Sequence, residues 1–287
     1  MKLALGTAQF GLDYGVTNKQ GKVCTEEIIK ILSYAQKNDI LTIDTASAYG
    51  DSEQRLGEAF ATLADFQIIT KTIAKSPLEV VEARFRQSLK NLKTEQVYGL
   101  LVHSVDDLLS VEGNKIGALL EKLKDQNLVQ KIGISVYTEA EIIEVLKRYK
   151  IDLIQIPINV FDQRLLRSGI LQQVKDKGIE IHARSLFLQG ILLEEPKKLP
   201  KYFLPYIEHI MKWHSFLKNN ALTPLDGAIG FAHSLGMIDY AIIGVTSLEH
   251  LVEVKTAFDK MSLATPIDYT KLAVYDESFI NPHIWRL

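Results

Sequence analysis

The stretch ILTIDTASAYGDSEQRLG sets a carboxylate, Asp44, at the end of an apolar run and a phenol, Tyr49, in the small Gly-bearing loop that follows. A carboxylate in an apolar strand is costly unless it is paired or lies at the strand's exposed mouth. Two further ionisable residues close similar runs: Lys71 ends QIITK and His103 follows VYGLLV. Carboxylate, phenol, ammonium and imidazole together make sense as a carbonyl reductase. Hydride attack on a carbonyl creates an alkoxide that must receive a proton, and a phenol with its ordinary pKa near 10 is a poor acid at neutral pH. An ammonium about 4 Å from a phenol, at an effective dielectric of about 20, contributes up to roughly 4 kcal/mol in favour of phenolate before desolvation opposes it. In this reading Tyr49 is the general acid, Lys71 tunes it, and Asp44 holds Lys71 charged and in place. His103 donates a hydrogen bond to the substrate oxygen and orients the carbonyl. Each residue also has a plainer reading: Asp44 as a loop cap, Tyr49 as packing, Lys71 as a rim charge, His103 as a core histidine. Their placement at the ends of three successive strands favours the chemical one.

Those strands belong to a longer series. Apolar, β-rich runs recur as KLALG, ILTID, QIITK, VYGLLVH, KIGIS, LIQIP, IEIHA and YAIIG. Helical spacing fills the intervals, as in Ile28, Ile29, Leu32, Ala35 and in Val80, Val81, Arg84, Phe85, Leu89. Near-continuously apolar strands alternating with amphipathic helices imply a parallel sheet covered on its faces, and eight units in about 250 residues fit the closed (β/α)₈ TIM barrel of the α/β class. An open doubly wound sheet is the alternative, but no strand is followed by G-x-G-x-x-G. The rhythm breaks only between the seventh and eighth runs, where an extra helix is expected. A single domain over residues 1–287 suffices, with the C-terminal tail over the barrel mouth.

Composition points to small-molecule chemistry. The chain is 47% hydrophobic and 24% charged with a formal net charge of −2, and no long basic block suggests nucleic acid. Cys24 is the sole cysteine, so neither an internal disulfide nor a Cys-based zinc cluster is available, and no metal site is expected. The N-terminal apolar run is too short for a signal peptide, and no run approaches the roughly 18 residues of a membrane span. A cytoplasmic protein with no membrane partner is the expectation; whether it is a monomer or a homo-oligomer stays open.

Along nearly its whole length the sequence resembles the aldo-keto reductase family. The resemblance rests on the opening GTAQFG, DTASAYG with its following SE, ITKT, LLVHS, IGIS and IIGVTSLEHL. It implies a (β/α)₈ barrel that binds NADPH, or less often NADH, without a Rossmann domain, and reduces an aldehyde or ketone. The family's tetrad falls on Asp44, Tyr49, Lys71 and His103. Cofactor contacts are implied at Gly6 and Thr7, and at Ser135 and Gln155 for the carboxamide. They are implied also at Ser185, Leu186, Gln189 and Gly190 for the pyrophosphate, and at Gly244, Thr246, Ser247 and His250 for the adenosine end. NADPH is the first expectation by this resemblance and NADH the alternative, since His250 grips a 2′-phosphate more weakly than arginine would.

The chain departs from the family in places. Val136 stands where an Asn usually follows the serine, with Asn159 as a candidate substitute, and Val254 replaces another Asn. Arg184 occupies the cofactor-facing position of an aromatic that stacks on the nicotinamide, so it is either a different platform or an anion contact. The alternative for Arg184 is an ion pair, Asp162 being a candidate. Thr246 to Glu249 also reads as a capping box. Substrate walls are expected from Phe10, Asp13, Tyr14, Phe161, Arg164 and Trp285, for a polar, sugar-like or anionic carbonyl substrate. Two rival readings are a Schiff-base aldolase using Lys71 and a nicotinamide-binding regulatory subunit with little turnover.

Overall fold

A computed structural model describes residues 1–61, 63 and 66–286. Its strands are β1 (Lys2–Gly6), β2 (Thr42–Asp44), β3 (Gln67–Lys71), β4 (Val97–Val102), β5 (Val129–Ser135), β6 (Leu153–Pro157), β7 (Glu180–Arg184) and β8 (Tyr240–Gly244). They form one closed barrel in sequence order. All pairs are parallel, and β8 closes on β1 from Lys2 opposite Tyr240 to Gly6 opposite Gly244. The expected TIM barrel is therefore the fold, and each expected strand lies within two residues of its run.

Between the strands run α1 (Thr25–Lys37), α2 (Ser52–Ala59), α3 (Leu78–Leu92), α4 (Gly113–Asp125), α5 (Glu139–Arg148), α6 (Ile170–Asp176), α7 (Ile207–Asn219), α8 (Pro224–Ser234) and α9 (Leu248–Ser262). Helical periodicity decides which face each buries. In α1, Ile28, Ile31, Leu32 and Ala35 form the buried stripe, while Ile29 is 39% exposed. In α3, Val81, Phe85 and Leu89 are buried and Val80 faces outward. The extra helix expected between the last two strands is α7; its Trp213 is fully buried and donates from Nε1 to the Leu192 carbonyl at 2.9 Å.

Side-chain alternation along the strands builds the site. Ile69, Leu101 and Leu153 form a small apolar cluster separate from the main core. Two residues further on come Lys71 and Gln155, within β3 and β6, and His103, just past the end of β4, so the same inward face that packs the barrel interior delivers these polar groups to its C-terminal mouth. Asp44 ends β2 opposite Ile69, and Arg184 ends β7 opposite Pro157. At the opposite end Tyr98 and Lys131 both hydrogen-bond Glu180, which also meets His182.

The C-terminal tail packs beside the barrel mouth rather than across it. Val274 N–H donates to the Phe161 carbonyl at 2.8 Å, and Phe279 is buried against Phe161 and Tyr206. His283 approaches the rim, its ring 6.1 Å from that of Tyr137. Among the described residues no helix is long and apolar enough to cross a membrane.

Candidate active site

The loop carrying Tyr49 is fixed by two close backbone approaches. A Cβ at Gly11 would lie 1.8 Å from the Tyr49 carbonyl oxygen, and one at Gly50, whose φ is +57°, would lie 2.3 Å from the Gly11 carbonyl oxygen. Only glycine allows this contact, and at Gly50 only glycine adopts the left-handed turn cheaply. A buried hydroxyl lattice secures the loop's base. Thr7 Oγ1 donates to the Asp44 carbonyl at 3.0 Å, and Ser52 Oγ donates at 3.0 Å to both the carbonyl and the hydroxyl of Thr7. Thr7 thus lines the cavity, yet its hydroxyl is committed to positioning Asp44.

Lys71 is 2% exposed. Its Nζ donates to Asp44 Oδ2 at 2.7 Å and to the Thr45 carbonyl at 2.9 Å, and lies 5.1 Å from the centre of the Tyr49 ring. Burial is the largest influence on this ammonium and opposes its charge, but Asp44 and Tyr49 outweigh it and raise its pKa. Asp44 Oδ1 accepts from Gln155 Nε2 at 2.7 Å, so both carboxylate oxygens are satisfied in the interior. His103 lies edge-on to Tyr49, ring centres 6.1 Å apart. Burial first, and then the neighbouring Lys71 charge, push the imidazole down to about 4. At neutral pH it is uncharged and offers one N–H donor.

These groups line a cavity of about 750 Å³. Its walls take in Gly6, Thr7, Tyr14, Ser135, Tyr137, Gln155 and Arg184, then Ser185, Leu186, Phe187, Gln189 and Gly190 of the following turn, and finally Gly244, Thr246, His250 and Glu253. Ser185, Leu188 and Gln189 all have positive φ, at 63°, 48° and 53°. Such strain in non-glycine residues collects at ligand-holding turns. At the far end Ser247 accepts from His250 N–H at 3.2 Å, Thr246 Oγ1 meets His250 Nδ1 at 2.9 Å, and Glu27 of α1 accepts from Leu248 N–H at 2.7 Å.

Several sequence expectations need correction. Phe10 and Phe161 are buried in the core, at 0% and 1% exposure, because the apolar faces of their short turns point inward. Trp285 packs edge-on against Phe203 and donates to the Phe279 carbonyl, away from the cavity. Arg164 is bound at both oxygens of Asp162 and to Glu277, so Asp162 is taken by its near neighbour and not by Arg184. Asn159 is spent locally: its Oδ1 accepts from Phe161 and Asp162 N–H groups and its Nδ2 donates to the Ser185 carbonyl. Asp13 and Ser247 fall outside the cavity wall. The cap of α9 is Ser247 rather than Thr246, so the expected capping box is displaced by one residue and lacks its glutamate. Sequence reasoning missed Gln155 as the partner of Asp44, the Gly11–Gly50 contact, and the Tyr137 ring beneath Arg184. The signals, GTAQFG and the glycine after Tyr49, were present but give no direction of approach.

Known proteins place the chain. The sequence model of the Aldo/keto reductase family matches residues 2–266. The solved structure of aldo-keto reductase AKR11C1 from Bacillus halodurans, in its holo form, superposes with a TM-score of 0.76 at 20% identity, covering 96% of this chain and 94% of that one. PA4992 from Pseudomonas aeruginosa gives 0.68 at 21% identity, covering 90% of each chain. Both likenesses are ones of fold. A curated relative, the NADH-specific methylglyoxal reductase of Escherichia coli strain K12, is 25% identical over 195 residues, which is 60% of this chain and 58% of that protein. With the barrel, its mouth and the family match in agreement, the chain belongs to the aldo/keto reductase family.

Proposed function

We propose that the protein reduces an aldehyde or ketone to an alcohol at the mouth of the barrel, using NADH or NADPH. The observation that carries this reading is the buried Lys71–Asp44 pair beneath Tyr49, with neutral His103 beside it. The cavity also fits a dinucleotide: a strained main-chain turn lies on one wall and the first turn of α9 at its far end. When bound, the reduced nicotinamide supplies the hydride. Tyr49 gives its hydroxyl proton to the substrate oxygen as negative charge develops there, and Lys71 stabilises the phenolate that remains. Asp44, held by Gln155, keeps the ammonium charged; His103 donates to the same substrate oxygen without adding a charge.

The raised pKa of Lys71 argues against a Schiff-base aldolase, which needs a free amine. A regulatory subunit would have no use for a fully satisfied proton-delivery set. Between the two dinucleotides the far end favours NADH. Glu253 lines the cavity there, Glu27 already occupies one N–H of α9, and the His250 ring is engaged by Thr246. Carboxylates in these places oppose a 2′-phosphate. The Escherichia coli relative's name describes an NADH-specific enzyme acting on methylglyoxal, which makes small dicarbonyls the first substrates to assay.

Tyr49→Phe tests the assignment. Turnover should fall roughly 10²- to 10⁴-fold while NADH binding, followed by fluorescence titration, is kept. Turnover near that of the wild type would remove Tyr49 from the role of acid.

A further inference from the structure

Arg184 is an anomaly of charge. Its Nε and Nη2 atoms are buried and have no hydrogen-bond partner. One face of the guanidinium lies over the Tyr137 ring, 4.4 Å from its centre. The acid that the sequence offered as a partner, Asp162, is held by Arg164 at 2.8 and 2.9 Å. Glu194, another carboxylate on the cavity wall, pairs with Lys198. Asp44 is consumed by Lys71 and Gln155. Among the described residues, then, no acid forms an ion pair with this guanidinium.

Elsewhere in the chain, arginines buried to a similar degree are met by oxygens: Arg55 by Asp51 and the Val23 carbonyl, Arg164 by Asp162 and Glu277. A desolvated guanidinium left unpaired is costly, and its planar fork matches a carboxylate or phosphate. Arg184 ends β7 at an inward position and lines the same cavity as Tyr49 and His103. Its charge acts on His103 and on Tyr14, which places it within electrostatic reach of the carbonyl-orienting group. Lys71 and Asp44 pair with each other, and Glu253, the carboxylate that lines this cavity from α9, makes no ion pair with Arg184, so the guanidinium is an unpaired positive charge on the wall it shares with His103.

The geometry points to Arg184 as the anchor for a negatively charged group on the substrate, so that the natural substrate is a carbonyl compound bearing a carboxylate or a phosphate. The Tyr137 ring supports the guanidinium from one side, 4.4 Å from its centre. This rests on the reductase reading for the carbonyl, but the anion site itself does not depend on turnover.

The test is therefore a binding measurement. Oxamate, its uncharged ester ethyl oxamate, and glycerol 3-phosphate are titrated calorimetrically into the protein, alone and loaded with NADH. Wild type should bind oxamate or glycerol 3-phosphate and discriminate against the ester; the preferred anion says whether the substrate's charge is carboxylate or phosphate. Arg184→Met keeps an unbranched side chain without the charge and should weaken anion binding roughly 30-fold or more, while Arg184→Lys should restore part of it. In steady state, the preference in kcat/KM for 4-oxobutanoate over 4-oxobutanamide, or for glyceraldehyde 3-phosphate over glyceraldehyde, should collapse in Arg184→Met through KM. The proposal is overturned if neither anion binds in either state, if the ester binds as well as oxamate, or if Arg184→Met lowers NADH affinity by the same factor. The last result would assign the arginine to the dinucleotide phosphates. Anion binding without NADH binding would leave the anchor standing and remove the reductase reading instead.

Discussion

Protonation of His103 should be one of the reasons the protein loses stability in mild acid. The imidazole falls from its ordinary 6.5 to about 4 because burial, followed by the adjacent Lys71 ammonium, disfavours the charged form. The unfolded chain takes up this proton below about pH 6.5, whereas the folded chain resists until about pH 4. Stability is therefore full above pH 6.5 and is lost as pH falls toward 4, the reverse of the behaviour of a histidine with a carboxylate partner. The difference is worth roughly 3 kcal/mol in total and about 2 kcal/mol at pH 5. The perturbation is His103→Gln, which keeps a hydrogen-bonding group and removes the titration. Urea unfolding of both proteins between pH 8 and pH 4 gives the assay, and the quantity read is the change with pH of the stability difference between them. Every other titrating group cancels in that difference. The variant should gain on the wild type by about 2 kcal/mol between pH 7.5 and pH 5. Parallel curves would show that His103 is as easily protonated in the folded chain as in the unfolded one, and would refute the argument from burial and the Lys71 charge.

Other consequences follow from the same geometry. Gly11→Ala forces the Tyr49 carbonyl away from a contact of 1.8 Å, so kcat should drop about 100-fold with NADH affinity kept; unchanged kcat would show that the loop can shift without cost. Lys71→Met leaves Asp44 buried with only Gln155, and should lower stability by about 3–5 kcal/mol, read as a fall in the thermal midpoint; an unchanged midpoint would contradict a buried charged pair. Glu253→Gln should narrow the preference for NADH over NADPH by about fourfold, measured as the ratio of the two dissociation constants.

The barrel was legible because its signal is repeated. Each strand is a short apolar run bounded by polar residues, and parallel strands buried on both faces leave that trace whatever their neighbours. The tetrad could be read for a related reason: an ionisable residue directly after an apolar run is conspicuous, and Asp44, Lys71 and His103 each show it. What could not be read was pairing across the barrel. Gln155 looked like a ligand contact, but its partner lies 111 positions away in sequence. Asp162 is one candidate partner for Arg184 from sequence, but Arg164, two residues away, reaches both of its oxygens. Aromatic residues misled in the same manner. Phe10 and Trp285 sit near the mouth in sequence order, yet the direction of a short turn decides between cavity and core, and residue type does not reveal that direction.

The order of the strands divides labour between two halves of the chain. The candidate proton-delivery residues all come from β2 to β4, while the anchor at Arg184, the strained turn after it and the far end of the cavity come from β7 and β8. Gln155 of β6 reaches across between the halves to hold Asp44. A lineage of such barrels can therefore exchange what it recognises by altering its last two βα loops, leaving the acid and its support untouched.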